Sequence, residues 1–187
     1  MQKTAPFGAP KEDKHMDFLT LARTRYSVRK YQPRPVEPEK LERILTAARV
    51  APTAANIQPV RLLVLESKEG LTKLSATANI FGAPLAIVVC VDTNTAWHRP
   101  IDNRSAADID ASILSDHMML EATDLGLGSL WVCYFHADKL RDAFRLPDGI
   151  EPVNILAIGY ADTKPLDPMR HNTTRKELSE TVVYETF

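Results

Sequence analysis

An uninterrupted apolar run, PLAIVVCVD at residues 84–92, restricts the possible folds of this chain more than any other segment. A membrane-spanning helix needs about 20 apolar residues, and this run is far shorter. Because apolar and branched side chains occupy consecutive positions, the run predicts a β-strand that is buried on both faces. Residues 60–65, VRLLVL, have the same character and predict a second such strand.

Helical spacing of apolar residues predicts the elements around these strands. One helix starts at Pro38, with Leu41, Ile44, Leu45 and Ala48 on one face. Further helices are predicted from Asp17 through FLTLARTRY, at 67–79, at 105–125 and at 137–145, and further strands at 130–134 and 153–159. Their irregular alternation predicts an α+β or mixed α/β layer structure. The tail beyond residue 162 has no core-forming period until VVY, so it needs another surface to pack against.

Length and composition indicate one globular domain. The chain has 187 residues, of which 44% are hydrophobic and 25% are charged. We expect residues 1–15 to form an N-terminal extension and residues 16–187 to form the domain. A net charge of −1 gives no field that would attract nucleic acid. Because the sequence has neither a membrane-length apolar segment nor the pattern of a secretion signal, it predicts a cytoplasmic protein with no membrane partner.

A bound phosphate would have to be held by side chains, because neither GxGxxG nor GxxxxGK[ST] occurs in the sequence. The densest candidate set is RTRYSVRK, where Arg25, Ser27 and Arg29 would lie on one side of an extended segment. Two guanidinium groups and a hydroxyl suit a phosphate monoester, because arginine donates hydrogen bonds in a planar fork. A solvated basic strand edge explains the same residues, since Lys and Arg are mostly exposed in proteins.

Several segments resemble the nitroreductase family in their order and spacing. They are RTRYSVRKY, EKLERILTAARVAPTAANIQP, APLAIVVCVD, ATDLGLGSLWV, EPVNILAIGYAD and RKELSETVVYE, and the resemblance covers residues 16–187. It implies an α+β fold with a mixed, mainly antiparallel sheet flanked by helices, in an intertwined homodimer with two FMN molecules at the subunit interface. It also implies a ping-pong oxidoreductase that transfers electrons from NAD(P)H to a nitroaromatic, quinone or similar acceptor.

The resemblance assigns the FMN phosphate to residues from both ends of the chain. Arg25, Tyr26 and Ser27 would bind the phosphate, and Arg29 would reach either the phosphate or the pyrimidine edge. Arg175, together with Lys176 or without it, would complete the site from the tail. Because a phosphate carries nearly two negative charges, cations that meet only in the folded chain would neutralise it, and FMN should stabilise the fold.

The resemblance also assigns the loop APTAANIQPV to the flavin that the other subunit mainly binds. In the family this loop has the pattern Pro-Ser-x-x-Asn-x-Gln-Pro, which is matched here by Pro52, Thr53, Ala54, Asn56 and Gln58. Small side chains let the backbone approach the ring, and Asn56 offers donors and acceptors to the pyrimidine edge. Val60 stands where the family often has an aromatic residue. Turn chemistry alone is an alternative explanation of the loop.

The strand after LGLG would run beside the flavin ring and direct a main-chain N–H at the flavin N5 atom. The residues nearest the ring would be Trp131, Val132, Cys133 and Tyr134, and Asn79 is a further candidate for a ribityl or ring contact. Such an amide would tune the position that accepts hydride. Trp131 could equally fill the core, and Cys133 is expected to be a small buried thiol rather than a nucleophile.

The sequence predicts neither a catalytic side chain nor a metal site. His117 and Glu121 are spaced i, i+4 on an acidic helix, but the second His of an HExxH motif is missing, and solvated ion pairs explain such a face. Two alternative functions remain open: a specialised relative, flavin-fragmenting or reductively dehalogenating, and a flavin-binding protein without turnover. Such specialised relatives have longer lids than residues 93–104 provide.

Overall fold

A computed structural model describes residues 16–187 of the chain, so the N-terminal extension predicted at 1–15 lies outside the described residues. The elements are α1 Phe18–Thr24, α2 Pro38–Val50, β1 Val60–Leu65, α3 Lys68–Ser75, β2 Leu85–Asp92, α4 Ala107–Asp124, β3 Gly128–Val132, α5 Ala137–Phe144, β4 Ile150–Gly159, α6 His171–Thr174 and α7 Leu178–Thr181. Single 3-10 turns occur at Ala54–Asn56 and Pro168–Arg170. None of the helices described in residues 16–187 combines the length and the apolar character needed to cross a membrane.

The four strands form one sheet in the order β1-β2-β4-β3. Each neighbouring pair is antiparallel, and parallel pairing is confined, within the described chain, to an isolated bridge between Ser27 and Ser129. The α+β prediction with a mainly antiparallel sheet is therefore confirmed. A register shift between Val89 and Cys90 coincides with Pro152 on β4, which lies opposite Cys90 and has no N–H for the ladder.

Strand β2 lies at the centre of two hydrophobic clusters, as its apolar sequence predicts. Leu85, Ile87 and Val89 pack in the cluster that also contains residues of α2 and α4. The alternate residues of β2 pack on the opposite face, in the cluster that includes buried leucines of α3 and α5. On β1, Leu62 and Val64 pack against the first cluster and Leu63 and Leu65 pack in the second, so both faces are covered as predicted, but only Leu65 is buried. Burial is incomplete because β1 is an edge strand, with a neighbour on one side only.

Local contacts explain where element boundaries differ from the prediction. Helix α3 ends at Ser75 instead of Asn79, because Ala78 leaves the helix and forms an antiparallel bridge with Phe135. The same bridge draws the chain away from the sheet after Val132, so β3 ends before Cys133 and Tyr134. Helix α4 begins at Ala107 rather than at Ser105, whose hydroxyl accepts a hydrogen bond from the Ala107 N–H at 3.2 Å.

The extended segment after α1 is attached to the sheet by a buried tyrosine. The Tyr31 hydroxyl lies 3.0 Å from the Ala157 carbonyl and 3.1 Å from the Val28 carbonyl, either of which it can donate to. Burial raises the pKa of Tyr31, so the phenol keeps its proton. The Val28 N–H also donates to the Ser129 carbonyl at 3.0 Å. Residues 25–31 are thus held against β3 and β4.

Removal of the Tyr31 hydroxyl should destabilise the fold. We expect Tyr31→Phe to lower the free energy of unfolding by about 1–2 kcal/mol, because a buried hydrogen bond to a carbonyl is lost. Urea denaturation of the cofactor-free protein measures this difference. The matched control is Tyr134→Phe, since Tyr134 is 92% exposed. Equal stability of the two variants would contradict the anchoring role.

Candidate functional site

The C-terminal tail docks on the end of α1 through an arginine that the sequence analysis did not single out. Arg170 donates to the Arg25 carbonyl at 2.6 Å and to the Arg23 carbonyl at 3.0 Å. Carbonyls at a helix C-terminus have no intrahelical partner, and basic side chains commonly satisfy them. The tail carries several basic residues in similar surroundings, so no sequence signal separates Arg170 from Arg175 and Lys176.

Positive charge accumulates where the tail meets α1. The pKa of Arg25 is lowered, first by burial and then by the positive charges of Arg170 and Arg175, while Asp116 acts in the opposite direction. Arg25 and Arg175, which the resemblance assigns to one phosphate, therefore interact electrostatically. A partly buried cation beside other cations is unfavourable unless an anion joins it.

Four arginines of the described residues have carboxylate partners. Arg43 pairs with Glu121 at 2.7 Å, and Arg141 pairs with Glu151 at 2.7 Å. In the part of the chain that the structure describes, Arg25, Arg29 and Arg175 belong to no ion pair. Their charge is free for an anionic ligand. This donor set fits the phosphate of FMN. Side chains would have to bind that phosphate, because the sequence has no glycine-rich phosphate-binding motif.

An open cleft of about 450 Å³ adjoins Arg25, and Tyr26 and Ser129 also line it. Ser27 is exposed and forms its bridge with Ser129 at the start of β3, so the two serines lie side by side. The Ser129 hydroxyl is buried and has no hydrogen-bond partner among the described residues. Sequence analysis missed Ser129, although its position directly after the LGLG turn could have indicated it.

Tyr160 forms the wall of this cleft and joins it to the start of α2. Its hydroxyl donates to Glu37 at 2.7 Å, while the Lys40 ammonium group donates to that hydroxyl at 2.9 Å. The hydrogen bond from Tyr160 is the main cause that lowers the pKa of Glu37 to about 2, with Arg34 contributing further. The carboxylate is thus ionised at neutral pH and holds the wall in place.

The residues expected near a flavin ring lie along the free edge of β3 and just beyond it. Trp131 is half-buried, and its indole N–H donates to the Cys133 Sγ at 3.1 Å. Val132 is buried in the core, so only its backbone remains for a ligand. Cys133 is exposed, and the expectation of a buried thiol is wrong. The reason is that β3 ends one residue earlier.

Asn79 lies beside Tyr134, although the two are far apart in sequence. Both line a cavity of about 280 Å³, together with Phe135 and His136. The Asn79 side-chain oxygen accepts a hydrogen bond from the Phe81 N–H at 2.9 Å, which leaves its NH₂ group available. The bridge between Ala78 and Phe135 accounts for this proximity.

The loop at 52–58 has a backbone conformation that most residues avoid. Ala55, Asn56 and Gln58 have φ values of 49°, 55° and 57°, in the left-handed region. The loop leads into β1, whereas Ser27, Ser129 and Trp131 lie at β3, on the opposite edge of the sheet. Three strand spacings separate these edges, which corresponds to about 14 Å. Within one chain, the loop and the Arg25 region are therefore not brought together.

The acidic face of α4 is involved in other contacts. Glu121 and Asp124 pair with Arg43 of α2, and the His117 ring lies 2.9 Å from the Ile113 carbonyl. In residues 16–187, no group of three or more His, Cys, Asp or Glu side chains is placed to hold a metal ion.

Acidification should weaken the cleft wall in a predictable pH range. The pKa of Glu37 lies below the ordinary value of 4.5, at about 2, so its stabilising effect is complete above pH 4.5 and is lost as the pH falls towards 2. We expect Tyr160→Phe to be less stable than the parent at pH 7, with a difference that narrows below pH 4.5. Urea denaturation at pH 7 and pH 3 tests this, and a difference that stays constant would contradict it.

The chain is similar to known proteins in both sequence and structure. The profile of the nitroreductase family matches residues 22–81 and 73–160. A relative from Methanothermobacter thermautotrophicus, provisionally named an NADH dehydrogenase/NAD(P)H nitroreductase, is 31% identical over 163 residues, which cover 80% of each chain.

Two solved structures share the fold. The crystal structure of a nitroreductase family protein from Clostridium difficile 630 has a TM-score of 0.90 and 56% identity, and the match covers 92% of this chain and 100% of that one. An FMN-dependent nitroreductase from Clostridium difficile R20291 has a TM-score of 0.73 and 28% identity, and the match covers 89% of this chain and 98% of the other.

Proposed function

The chain belongs to the nitroreductase family, and from this membership we propose that it is an FMN-dependent oxidoreductase that transfers electrons from NAD(P)H to a nitroaromatic, quinone or similar acceptor. When bound, FMN supplies a centre that accepts hydride from NAD(P)H and returns the electrons to the second substrate in a ping-pong sequence. The residues of this chain bind and orient the cofactor, and no acidic or basic side chain is required for the transfer itself.

The observation that carries the proposal is the unpaired positive charge around Arg25. Arg170 and Arg175 lie close enough to lower the pKa of Arg25, and neither Arg25 nor Arg175 has a carboxylate partner in the described chain. A phosphate monoester with nearly two negative charges would neutralise this cluster. Ser27, and Arg29 beyond it, would add a hydroxyl and a third guanidinium donor. Lys176, next to Arg175, is available as an additional ligand.

The free edge of β3 supports the placement of the flavin ring. A strand edge offers backbone N–H groups that are not used by the sheet, and one of them near Val132 would donate to N5. Trp131 would cover the ring from within the subunit, and Asn79 would reach the polar part of the cofactor through its free NH₂ group. The exposed Tyr134 would border the space into which the electron donor and acceptor enter.

A homodimer would unite the two halves of the site that one chain keeps apart. The loop at 52–58 lies at the β1 edge and the Arg25 cluster lies near β3, so we infer that the loop reaches the flavin of the partner subunit. Exposed apolar side chains support such an interface, namely Phe18 and Leu19 on α1 and Leu178, Tyr184 and Phe187 in the tail. Such an interface would remove these side chains from water.

Loss of the unpaired arginines should abolish retention of the cofactor. We expect Arg25→Gln with Arg175→Gln to raise the Kd for FMN by about 100-fold or more, because two charge-assisted interactions with the phosphate disappear. Fluorescence quenching of FMN measures the affinity. The matched control is Arg43→Gln with Arg141→Gln, which removes the same charge from arginines that have carboxylate partners. Equal affinity of the two double variants would remove Arg25 and Arg175 from the phosphate site.

Mixed dimers should show that the site is shared between subunits. One variant lacks the phosphate ligands, through Arg25→Gln and Arg175→Gln, and the other lacks the loop contacts, through Asn56→Ala and Gln58→Ala. Neither homodimer should retain FMN, whereas a mixed dimer should regain one FMN, because one of its two sites combines intact parts. Two distinguishable affinity tags isolate the mixed dimer, and its absorbance at the flavin bands gives the stoichiometry. Absence of FMN from mixed dimers would indicate sites built within single subunits.

Turnover distinguishes an enzyme from a flavin-binding protein. Anaerobic stopped-flow mixing of the FMN-loaded protein with NADH or NADPH should bleach the flavin absorbance, and a subsequent quinone or nitroaromatic should restore it. A protein that binds FMN but is not bleached would be the non-catalytic alternative. Bleaching without reoxidation by either acceptor would favour a specialised relative.

A further inference from the structure

Asp110 is a buried carboxylate that contacts the strained loop from a neighbouring helix. It lies in the first turn of α4 and is 1% exposed. Its Oδ1 atom accepts a hydrogen bond from the Ala54 N–H at 2.8 Å, and its Oδ2 atom has no partner among residues 16–187. From the sequence, Asp110 was one of several α4 carboxylates considered as metal or acid–base candidates, and its contact with the loop was not predicted.

Apart from the Arg61 guanidinium, which donates to the Gln58 carbonyl at 3.1 Å from the adjoining strand β1, the remaining hydrogen bonds of the loop are internal to it. The Asn56 N–H donates to the Thr53 carbonyl at 2.9 Å, and the Gln58 N–H donates to the Thr53 hydroxyl at 3.1 Å. These bonds shape the turn but do not fix its position on the protein. Among the hydrogen bonds described for residues 53–58, the one from Ala54 to Asp110 joins the loop to α4.

Both the loop and the carboxylate are energetically unfavourable on their own. Ala55, Asn56 and Gln58 adopt the left-handed conformation, which is unfavourable for residues other than glycine and, to a lesser extent, asparagine. A buried carboxylate with one unpartnered oxygen is also unfavourable, and the N-terminal end of the α4 dipole only partly offsets this. Strain and unpaired polar groups persist together where the surrounding structure uses them, most often at binding sites.

We propose that Asp110 is a positioning residue that fixes the strained backbone of residues 54–58 in the conformation that receives the cofactor. The inference rests on the proposed function, because it assigns the loop to FMN binding. Asp110 acts through Ala54 and does not itself touch the cofactor. Its carboxylate keeps Asn56 and Gln58 preorganised, so that FMN binding does not have to order the loop.

Two substitutions remove the hydrogen bond between Ala54 and Asp110, one at each partner. Asp110→Ala removes the acceptor, and Ala54→Pro removes the donor. Proline is tolerated at Ala54 because this residue opens a 3-10 turn and follows the extended Thr53. Asp110→Asn keeps an acceptor oxygen in place and serves as the rescuing variant. Ser115→Ala is the matched control, since Ser115 is a buried polar residue of the same helix that bonds to Ala111 and Asn154 instead.

Hydrogen exchange and FMN affinity give independent measures. In the cofactor-free protein, peptides that cover residues 53–60 should exchange about tenfold faster in Asp110→Ala and in Ala54→Pro than in the parent. The Kd for FMN should rise by about tenfold in both, because a hydrogen bond to a charged acceptor is lost. The double variant should be no worse than Asp110→Ala alone, since both changes remove the same interaction. Asp110→Asn and Ser115→Ala should stay within about threefold of the parent.

Several outcomes would overturn the role of Asp110. A loop in Asp110→Ala that exchanges hydrogen at the same rate as in the parent would do so. Strictly additive effects of Asp110→Ala and Ala54→Pro on the Kd for FMN would do so as well. If Asp110→Ala does not fold, Ala54→Pro decides the question alone, and parental exchange with parental affinity would reject the proposal. A parent protein that binds no FMN would instead reject the proposed function, while the exchange experiment would still test the link between Asp110 and the loop.

Discussion

The candidate site depends on positive charge that the folded chain concentrates and leaves without a counter-charge. Arg25 is half-buried at the end of α1, and Arg170 and Arg175 approach it from the tail. Elsewhere in the described chain, arginines such as Arg43 and Arg141 have acidic partners. The concentration of charge supports the proposed binding site, because a fold gains no stability from like charges held together. A dianionic ligand would relieve the repulsion among these arginines, and this relief would contribute to the free energy of binding.

The order of the strands determines how such a site can be completed. With β1 and β3 at opposite edges, the loop before β1 and the residues beside β3 are separated by the width of the sheet. The paired and largely buried strands β2 and β4 lie between them. Association of two chains, as proposed, would complete the site without any change in the fold. The exposed apolar residues of α1 and of the tail would then lie in the interface.

Much of the fold follows from periodicity, whereas the site depends on contacts that periodicity does not report. The bounds of β1 and the start of α2 at Pro38 agree with the prediction, because continuous apolar runs and a proline at the first helical turn are local signals. The burial of Cys133 was predicted incorrectly and that of β1 was overestimated, because the end of β3 and edge position depend on pairing between distant segments. Arg25 was predicted from its spacing with Ser27 and Arg29 and Arg175 from a family resemblance, and the charge of Arg175 contributes to the lowered pKa of Arg25. Arg170 and Ser129 were not predicted, and Asp110 was considered only as a metal or acid–base candidate, because their roles arise from tertiary hydrogen bonds and burial alone.

The bonds between Arg170 and the end of α1 also bear on biosynthesis. Arg170 and Arg23 are separated by 147 positions in the sequence, so their contact closes nearly the whole chain. On the ribosome, α1 emerges well before the tail. The nascent polypeptide can therefore form its sheet before it can assemble the basic cluster. If the cluster binds phosphate as proposed, FMN can be loaded only after the tail has been translated, and a chain that stops before Arg170 would lack part of the cluster.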